Sequence, residues 1–195
     1  MPPKNKFSEE QIILAAVDVV RQSTADGLTA RSLADKLSSS PKVIFGYFKS
    51  MEDVKMCVIK FAHELYLSYL KEEIEKGEHP YYKASGMGYI RFAVEEKELF
   101  KLLFMRDRTN EPTLSDADDS EIDPLLDIVV ERIGITREEA RLFHLEMWLC
   151  VHGIATIIAT DYLKFDVDFI SSVLTDVYNG MLMRFAAKKE NNGNN

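Results

Sequence analysis

Apolar positions recur every three to four residues along most of the chain, and no stretch alternates apolar and polar residues as a strand would. Ser8 opens a capping-box-like S-E-E-Q, after which Ile12, Ile13, Ala16, Val17 and Val20 form one stripe, predicting a first helix over residues 8–23. Ala25, Asp26 and Gly27 break it, and Leu28 is expected to tuck beneath the next two helices as a core residue. Thr29 can cap a short helix over 29–37, where Leu33, Ala34 and Leu37 repeat on one side. Ser38, Ser39 and Ser40 offer hydroxyls that compete for backbone hydrogen bonds and so favour a turn, and Pro41 suits a first helical position because its absent N–H would be unpaired there. A second short helix begins at Pro41, with Val43, Ile44 and Phe48 inward and Lys42, Gly46 and Tyr47 outward. Together these twenty residues, 29–48, read as a helix-turn-helix.

Ser50 and Asp53 form the next cap and launch the longest pattern, a helix over 51–76 about 39 Å long at 1.5 Å per residue. Gly77 and Pro80 end it. Residues 89–104 predict a helix broken or bent near 95–97, and the acidic, proline-containing stretch 106–124 predicts a mobile solvated connection. A short helix is expected over 125–133, and Thr136 with Glu139 caps another over 137–162. The last, over 167–187, carries Ile170, Val173, Leu174, Val177, Met181 and Phe185 on one face; KKENNGNN is expected to be a disordered tail.

This pattern defines an all-α chain: an N-terminal three-helix helix-turn-helix domain over 1–52, a long connecting helix, a helical effector-binding and dimerisation domain over 53–188, and a tail over 189–195. With 195 residues, 46% of them apolar, there is material for a sizeable core. The penultimate helix is apolar nearly all round, which suits a central helix or one whose outer face meets a partner. Small residues at Gly153, Ala159, Gly180 and Ala186 would let the last two helices approach a second copy, building a four-helix homodimer interface. Its apolar stretch over 142–159 holds His144, Glu146, His152 and Gly153, and so reads as buried in protein rather than lipid.

Charge refines the picture. The net charge of −8 is unevenly spread: residues 1–60 carry nine Lys/Arg against seven Asp/Glu, net +2, which leaves −10 for 61–195. A mildly basic end on an acidic body is compatible with phosphate contacts. Lys4 and Lys6, in an arm expected to fray, could reach a phosphate or stay solvated. Cys57 and Cys150 lie in apolar helical patterns without metal-like spacing and are expected to be reduced core residues. The opening MPPKNKFSEE is polar and carries no secretory signal, so the expected compartment is the cytoplasm.

No Gly-rich phosphate loop, nucleophile elbow or paired-cysteine zinc site is present in the sequence, so neither an enzyme nor a metal or other cofactor is expected. His63, His79, His144 and His152 form no ligand cluster. His144 and His152 stand two turns apart on a similar helix face, about 12 Å along the axis, too far to share one ion.

The stretch GLTARSLADKL, with its turn and VIFGYFKSMEDV, resembles the DNA-binding domain of the tetracycline-repressor (TetR) family over about residues 8–59. The resemblance implies a double-stranded DNA operator as partner and a DNA-binding set of Thr29, Arg31, Ser40, Pro41, Lys42, Tyr47 and Lys49. Arg31 matches a base-reading position, where a guanidinium can bridge guanine O6 and N7. Pro41 and Lys42 open the recognition helix, while Tyr47 and Lys49 match positions that hold phosphates and set register. The chain departs from the family at four places: Ser38 and Ser39 replace a Gly and an apolar residue in the turn, Phe45 replaces a phosphate-binding tyrosine, and Met51 replaces a lysine. Lys49 and Lys55 could compensate.

A second resemblance lies in YIRFAVEEKELFKLLFM and MWLCVHGIATII, which are similar to the Trp-His-Gly effector domain of part of that family, with Trp148, His152 and Gly153 at the motif positions. It implies a small, largely apolar effector held in a cavity. Candidate walls are Phe61, Leu65, Tyr69, Phe92, Phe100 and Phe104, with Met147, Trp148 and Val151; His144 and His152 are candidate polar anchors, and for each of them core packing is the competing role. The implied function is a homodimeric transcriptional regulator, a ligand-relieved repressor on a palindromic operator. The alternative is a dimeric small-molecule-binding or protein-docking module whose helix-turn-helix no longer binds DNA.

Overall fold

A computed structural model describes residues 7–107 and 122–193; the basic arm as far as Lys6, most of the acidic connection and Asn194 and Asn195 lie outside the described residues. Within them the chain is helical with no strand: α1 (Glu9–Gln22), a 3-10 turn (Ala25–Gly27), α2 (Ala30–Lys36), α3 (Pro41–Ile44), α4 (Met51–Glu75), α5 (Tyr81–Glu95), α6 (Lys97–Phe104), α7 (Asp123–Ile133), α8 (Arg137–Ala159) and α9 (Val167–Gly193). The chain divides into two compact units. One holds α1 to α3, α4 as far as Ser68, and α6; the other takes α4 from Tyr69, α5 to Val94, and α7 to α9.

Local chemistry sets most helix starts. Capping boxes join Ser8 with Gln11, Thr29 with Ser32, and Thr136 with Glu139, each hydroxyl taking a first-turn amide while the side chain three residues on returns to the cap. Ser50 and Asp53 do the same for α4: the Ser50 hydroxyl accepts from the Asp53 amide at 3.1 Å, and the carboxylate accepts from the amides of Ser50 and Lys49, both at 3.0 Å. Gly77 and Gly134, at φ +68° and +69°, stand where helices α4 and α7 end.

In the first unit α1 packs on α2 and α6, and α2 on α3. Ile12, Ala16, Val17, Val20, Leu33, Ile44, Val54, Val58, Leu99 and Phe100 are fully buried, and Leu37 and Phe48 nearly so. Leu28, expected in the core, is only half-buried because it lies in the extended cap after the 3-10 turn. In the second unit α7 and α9 flank α8, around Phe92, Leu126, Val129, Phe143, Ile170 and Leu174.

Four expectations are corrected. α5 starts at Tyr81 rather than near residue 89, because Gly86 and Gly88, weak helix formers, sit where the helix is closely packed: a Cβ on Gly88 would stand 3.0 Å from the Leu70 Cα and the Tyr69 carbonyl oxygen. α8 ends at Ala159, not 162, since Asp161 turns left-handed at φ +55°. α9 continues through Gly193, past the expected end at 187. Cys57 and Cys150 are half-buried rather than core, and are free thiols.

α8 has the length and apolarity to cross a bilayer, yet it carries the capping box and packs between α7 and α9. Only 33% of its most apolar window is buried in the single chain, less than the sequence suggested. Leu142 and Leu149 on this helix, and Phe169 and Met183 on α9, are exposed.

Candidate functional site

The helix-turn-helix is built from its caps outward. Thr29 accepts from the Ser32 amide at 3.1 Å, its own amide donates to the Ser32 hydroxyl at 2.9 Å, and that hydroxyl donates on to the Gly27 carbonyl at 2.7 Å. This fixes the start of α2, on which Arg31 is exposed. At the other end Leu37 is the C-cap and Ser38 turns left-handed at φ +47°. The Ser38 amide donates to the Asp35 carbonyl at 3.0 Å and the Ser39 amide to the Ala34 carbonyl at 2.9 Å. That pair of bonds is a Schellman cap. Serine therefore occupies a backbone conformation that suits glycine.

Ser40 then caps α3 through its backbone, with no side-chain cap bond, and Pro41 is the first helical residue. α3 is one turn long; the Phe48 amide still reaches the Ile44 carbonyl at 3.0 Å, so a helical course carries on beyond it. Ser40, Pro41, Lys42 and Gly46 are exposed, as are Lys49 and Phe45, the latter to 47%. Ile44 and Phe48 anchor the opposite side in the core. Thr29, Arg31, Ser40, Pro41, Lys42 and Lys49 thus all present exposed surface. Tyr47 does not follow them: it is half-buried, and its hydroxyl donates to the backbone carbonyl of Phe7 instead of pointing outward.

The eleven candidate effector residues divide between the units. Phe61, Leu65, Phe100 and Phe104 belong to the first, where Phe100 and Phe104 are in ring contact at 5.2 Å. Tyr69, Phe92, His144, Met147, Trp148, Val151 and His152 belong to the second. Tyr69 meets Phe92 edge-on at 5.4 Å, and Met147 and Val151 are buried. His152 stacks on Trp148, with centroids 4.6 Å apart and planes 12° from parallel, and its Nδ1 shares a 2.9 Å hydrogen bond with the Tyr89 hydroxyl. Its other ring nitrogen lies 3.4 Å from the Thr156 hydroxyl. His144 Nδ1 shares a 3.0 Å bond with the Tyr82 hydroxyl. Both histidines are tied by tyrosines of α5.

Tyr82 and Tyr89 are the residues that sequence reasoning missed. They stand seven apart, two turns on one helix face, while the histidines stand eight apart on another; matching the two spacings would have paired the helices. Burial, and next the neighbouring Tyr178, push the Tyr82 phenol above its ordinary range, so it stays protonated. Burial lowers the His152 imidazole and raises the Cys150 thiol. A cavity of about 110 Å³ opens beside Leu142, Glu146, Arg184, Phe185 and Lys188, and none of the candidate effector residues lines it. Glu146 and Arg184 form an ion pair on its wall.

A helix-turn-helix with one side exposed, among described residues that are otherwise helical, is the architecture of helical DNA-binding regulators. Residues 82–177 match the family described as tetracyclin repressor-like, C-terminal domain, a stretch that includes Trp148, His152 and Gly153. This part of the chain belongs to the TetR family of transcriptional regulators, and the chain as a whole has the fold of TetR-like regulators. Its fold is shared by a TetR-like transcriptional regulator from Rhodococcus sp. RHA1, at TM-score 0.62 and 16% identity, covering 92% of this chain and 95% of that one. A putative TetR-family transcriptional regulator from Vibrio parahaemolyticus is similar at TM-score 0.60 and 14% identity, covering 88% and 96%. No curated protein matched the sequence.

Proposed function

We propose that the protein is a homodimeric repressor of the cytoplasm whose residues 1–52 bind a palindromic operator and whose residues 53–188 dimerise and take up a small, largely apolar effector. The observation that carries this reading is the exposed row of Arg31, Pro41 and Lys42, held on a helix pair whose other side is buried through Leu33, Ile44 and Phe48. A guanidinium or ammonium there meets no competing ion pair among the described contacts and is available to base edges or phosphates. Operator binding by a dimer requires the two recognition helices to stand about 34–36 Å apart, one helical turn of DNA. An effector that prefers a dimer with another separation lowers operator affinity in proportion to that preference.

Dimerisation is supported by apolar side chains that a single chain leaves open on its last two helices, Leu149 at 56% and Met183 at 75% exposure. For the effector, the second unit offers the Trp148 ring stacked on His152, an aromatic face beside a polar group of the kind a small, largely apolar ligand takes.

The experiment is selection of random duplex DNA by the purified protein, repeated for Arg31→Ala. The reading expects a palindromic site for the wild type, and for the variant a relaxed preference at one base pair per half-site, costing about 1–3 kcal/mol. Absence of any enriched site from protein freed of bound small molecules would reject it in favour of a docking module.

A further inference from the structure

A phenyl ring has no polar hydrogen to donate and no lone pair to offer, so on the surface of a duplex it packs on apolar groups. In the major groove the apolar group that base pairs present is the thymine C5-methyl. Among the described residues of the first unit, Phe45 is the one aromatic ring that is exposed. Its place is set by the backbone. The Phe45 amide donates to the Pro41 carbonyl at 3.3 Å, one turn back, so the two residues share a face, beside Lys42 and Gly46, all of them exposed. Ile44 and Phe48 hold the opposite side in the core, and the neighbouring Tyr47 is half-buried, its hydroxyl donating to the Phe7 carbonyl. Gly46 adds no side chain next to the ring, so a base edge can come close to it. Exposed Arg31, Lys42 and Lys49 supply the positive charge that draws phosphates to the same helix pair.

We propose that Phe45 is a specificity-determining residue that packs on a thymine methyl in each half-site of the operator. The inference rests on the DNA-binding reading above. Arg31 and Lys42 meet polar groups of the duplex; Phe45 adds recognition of an apolar one, which those side chains do not make. The contact covers one methyl group, whose removal from water corresponds to about fourfold in affinity. A thymine at that position is therefore preferred over uracil, which differs by that methyl alone and keeps every hydrogen-bonding group.

The test takes the duplex enriched by the full-length wild type and replaces its thymines one position at a time with deoxyuridine, titrating wild type, Phe45→Ala and Phe45→Leu against each. At one position of the half-site, loss of the methyl should weaken the wild type about fourfold, and about fifteenfold when both half-sites are changed. Phe45→Ala should bind the thymine and uracil duplexes equally at that position, while its ratios at every other thymine stay as in the wild type. Phe45→Leu, still apolar, should retain part of the preference. A ring that serves only the fold behaves otherwise: Phe45→Ala then weakens both duplexes alike and leaves the thymine-to-uracil ratio where it was, which overturns the proposal. An enriched site with no thymine whose methyl matters overturns it as well. Wild-type protein that enriches no site rejects the DNA-binding reading itself, a result seen before any variant is compared.

Discussion

Arg21 and Glu96 lie seventy-five residues apart in sequence and meet fork to fork, Nε donating to Oε2 at 2.8 Å and the second guanidinium nitrogen to Oε1 at 2.5 Å. Arg21 is in the last turn of α1, where a cation also offsets the negative end of the helix dipole, and Glu96 is the residue between α5 and α6. Glu96 is the more enclosed partner, its side chain 14% exposed against 38% for Arg21. The pair binds α6 to the helix that supports the recognition element.

Arg21→Ala should lower stability to chemical denaturation by about 1 kcal/mol or somewhat more, since it strands a mostly covered carboxylate as well as losing a bidentate pair. Arg21→Lys should recover less than half, because an ammonium makes no fork. A urea midpoint for Arg21→Lys equal to the wild type would mean that only the charge matters.

Gly88→Ala should cost about 1–3 kcal/mol despite the better helix propensity of alanine. Its new methyl would meet backbone, the Leu70 Cα and the Tyr69 carbonyl, both at 3.0 Å, and backbone within a helix does not swing aside. The check is a denaturation midpoint; an unchanged or raised value would show that α4 and α5 can part freely beyond Tyr69.

These two sites bracket what could be read from sequence. Helix starts were legible wherever a hydroxyl and a polar side chain stand three residues apart, as at Ser8, Thr29, Ser50 and Thr136, because capping is local chemistry. The beginning of α5 was not, because Gly86 and Gly88 disfavour a helix locally and only packing reveals why they are there. The exposed row of Arg31, Pro41 and Lys42 followed from the periodicity of Leu33, Leu37 and Ile44. Tyr47 was misplaced for the opposite reason: its partner is forty residues away, and no spacing rule within the motif announces it.

Ser38→Gly should stabilise the protein by about 0.5–1 kcal/mol. Ser38 adopts φ +47° in the Schellman cap of α2, a conformation that costs an L-residue roughly 1 kcal/mol and glycine little. The backbone is already in the turn that glycine would make, so operator affinity should stay as it is. A fall in the denaturation midpoint would mean that the serine side chain contributes more than its backbone strain costs.

The His152 imidazole gives the fold a pH dependence of known sign. Burial holds its folded-state pKa below the ordinary value of about 6.5, so the folded chain binds fewer protons there than the unfolded chain. Its contribution is present in full above that ordinary value and is lost as pH falls through the range between the unfolded and the folded pKa. Denaturation midpoints measured from neutral pH down into that range should fall for the wild type, and fall less for His152→Gln, which keeps a polar group near the Tyr89 hydroxyl. Parallel pH profiles for the two proteins would assign the acid sensitivity to other groups.

Gly153 and Gly180 give opposite predictions according to whether the last two helices meet a second copy. A Cβ built on either finds nothing within 4 Å in the single chain. If those faces stay in water, Gly→Ala at each site removes a poor helix former from a helix interior and should raise stability by up to about 1 kcal/mol at any protein concentration. If they form the interface, with Leu149 and Met183 beside them, the space is filled by a partner helix, and Gly180→Leu in particular should hold the two copies apart. Sedimentation over a range of concentrations should then show Gly180→Leu dissociating at least tenfold more readily than the wild type. A Gly180→Leu protein that sediments as the wild type does would place the dimer contact elsewhere and leave Leu149 and Met183 as surface without a partner.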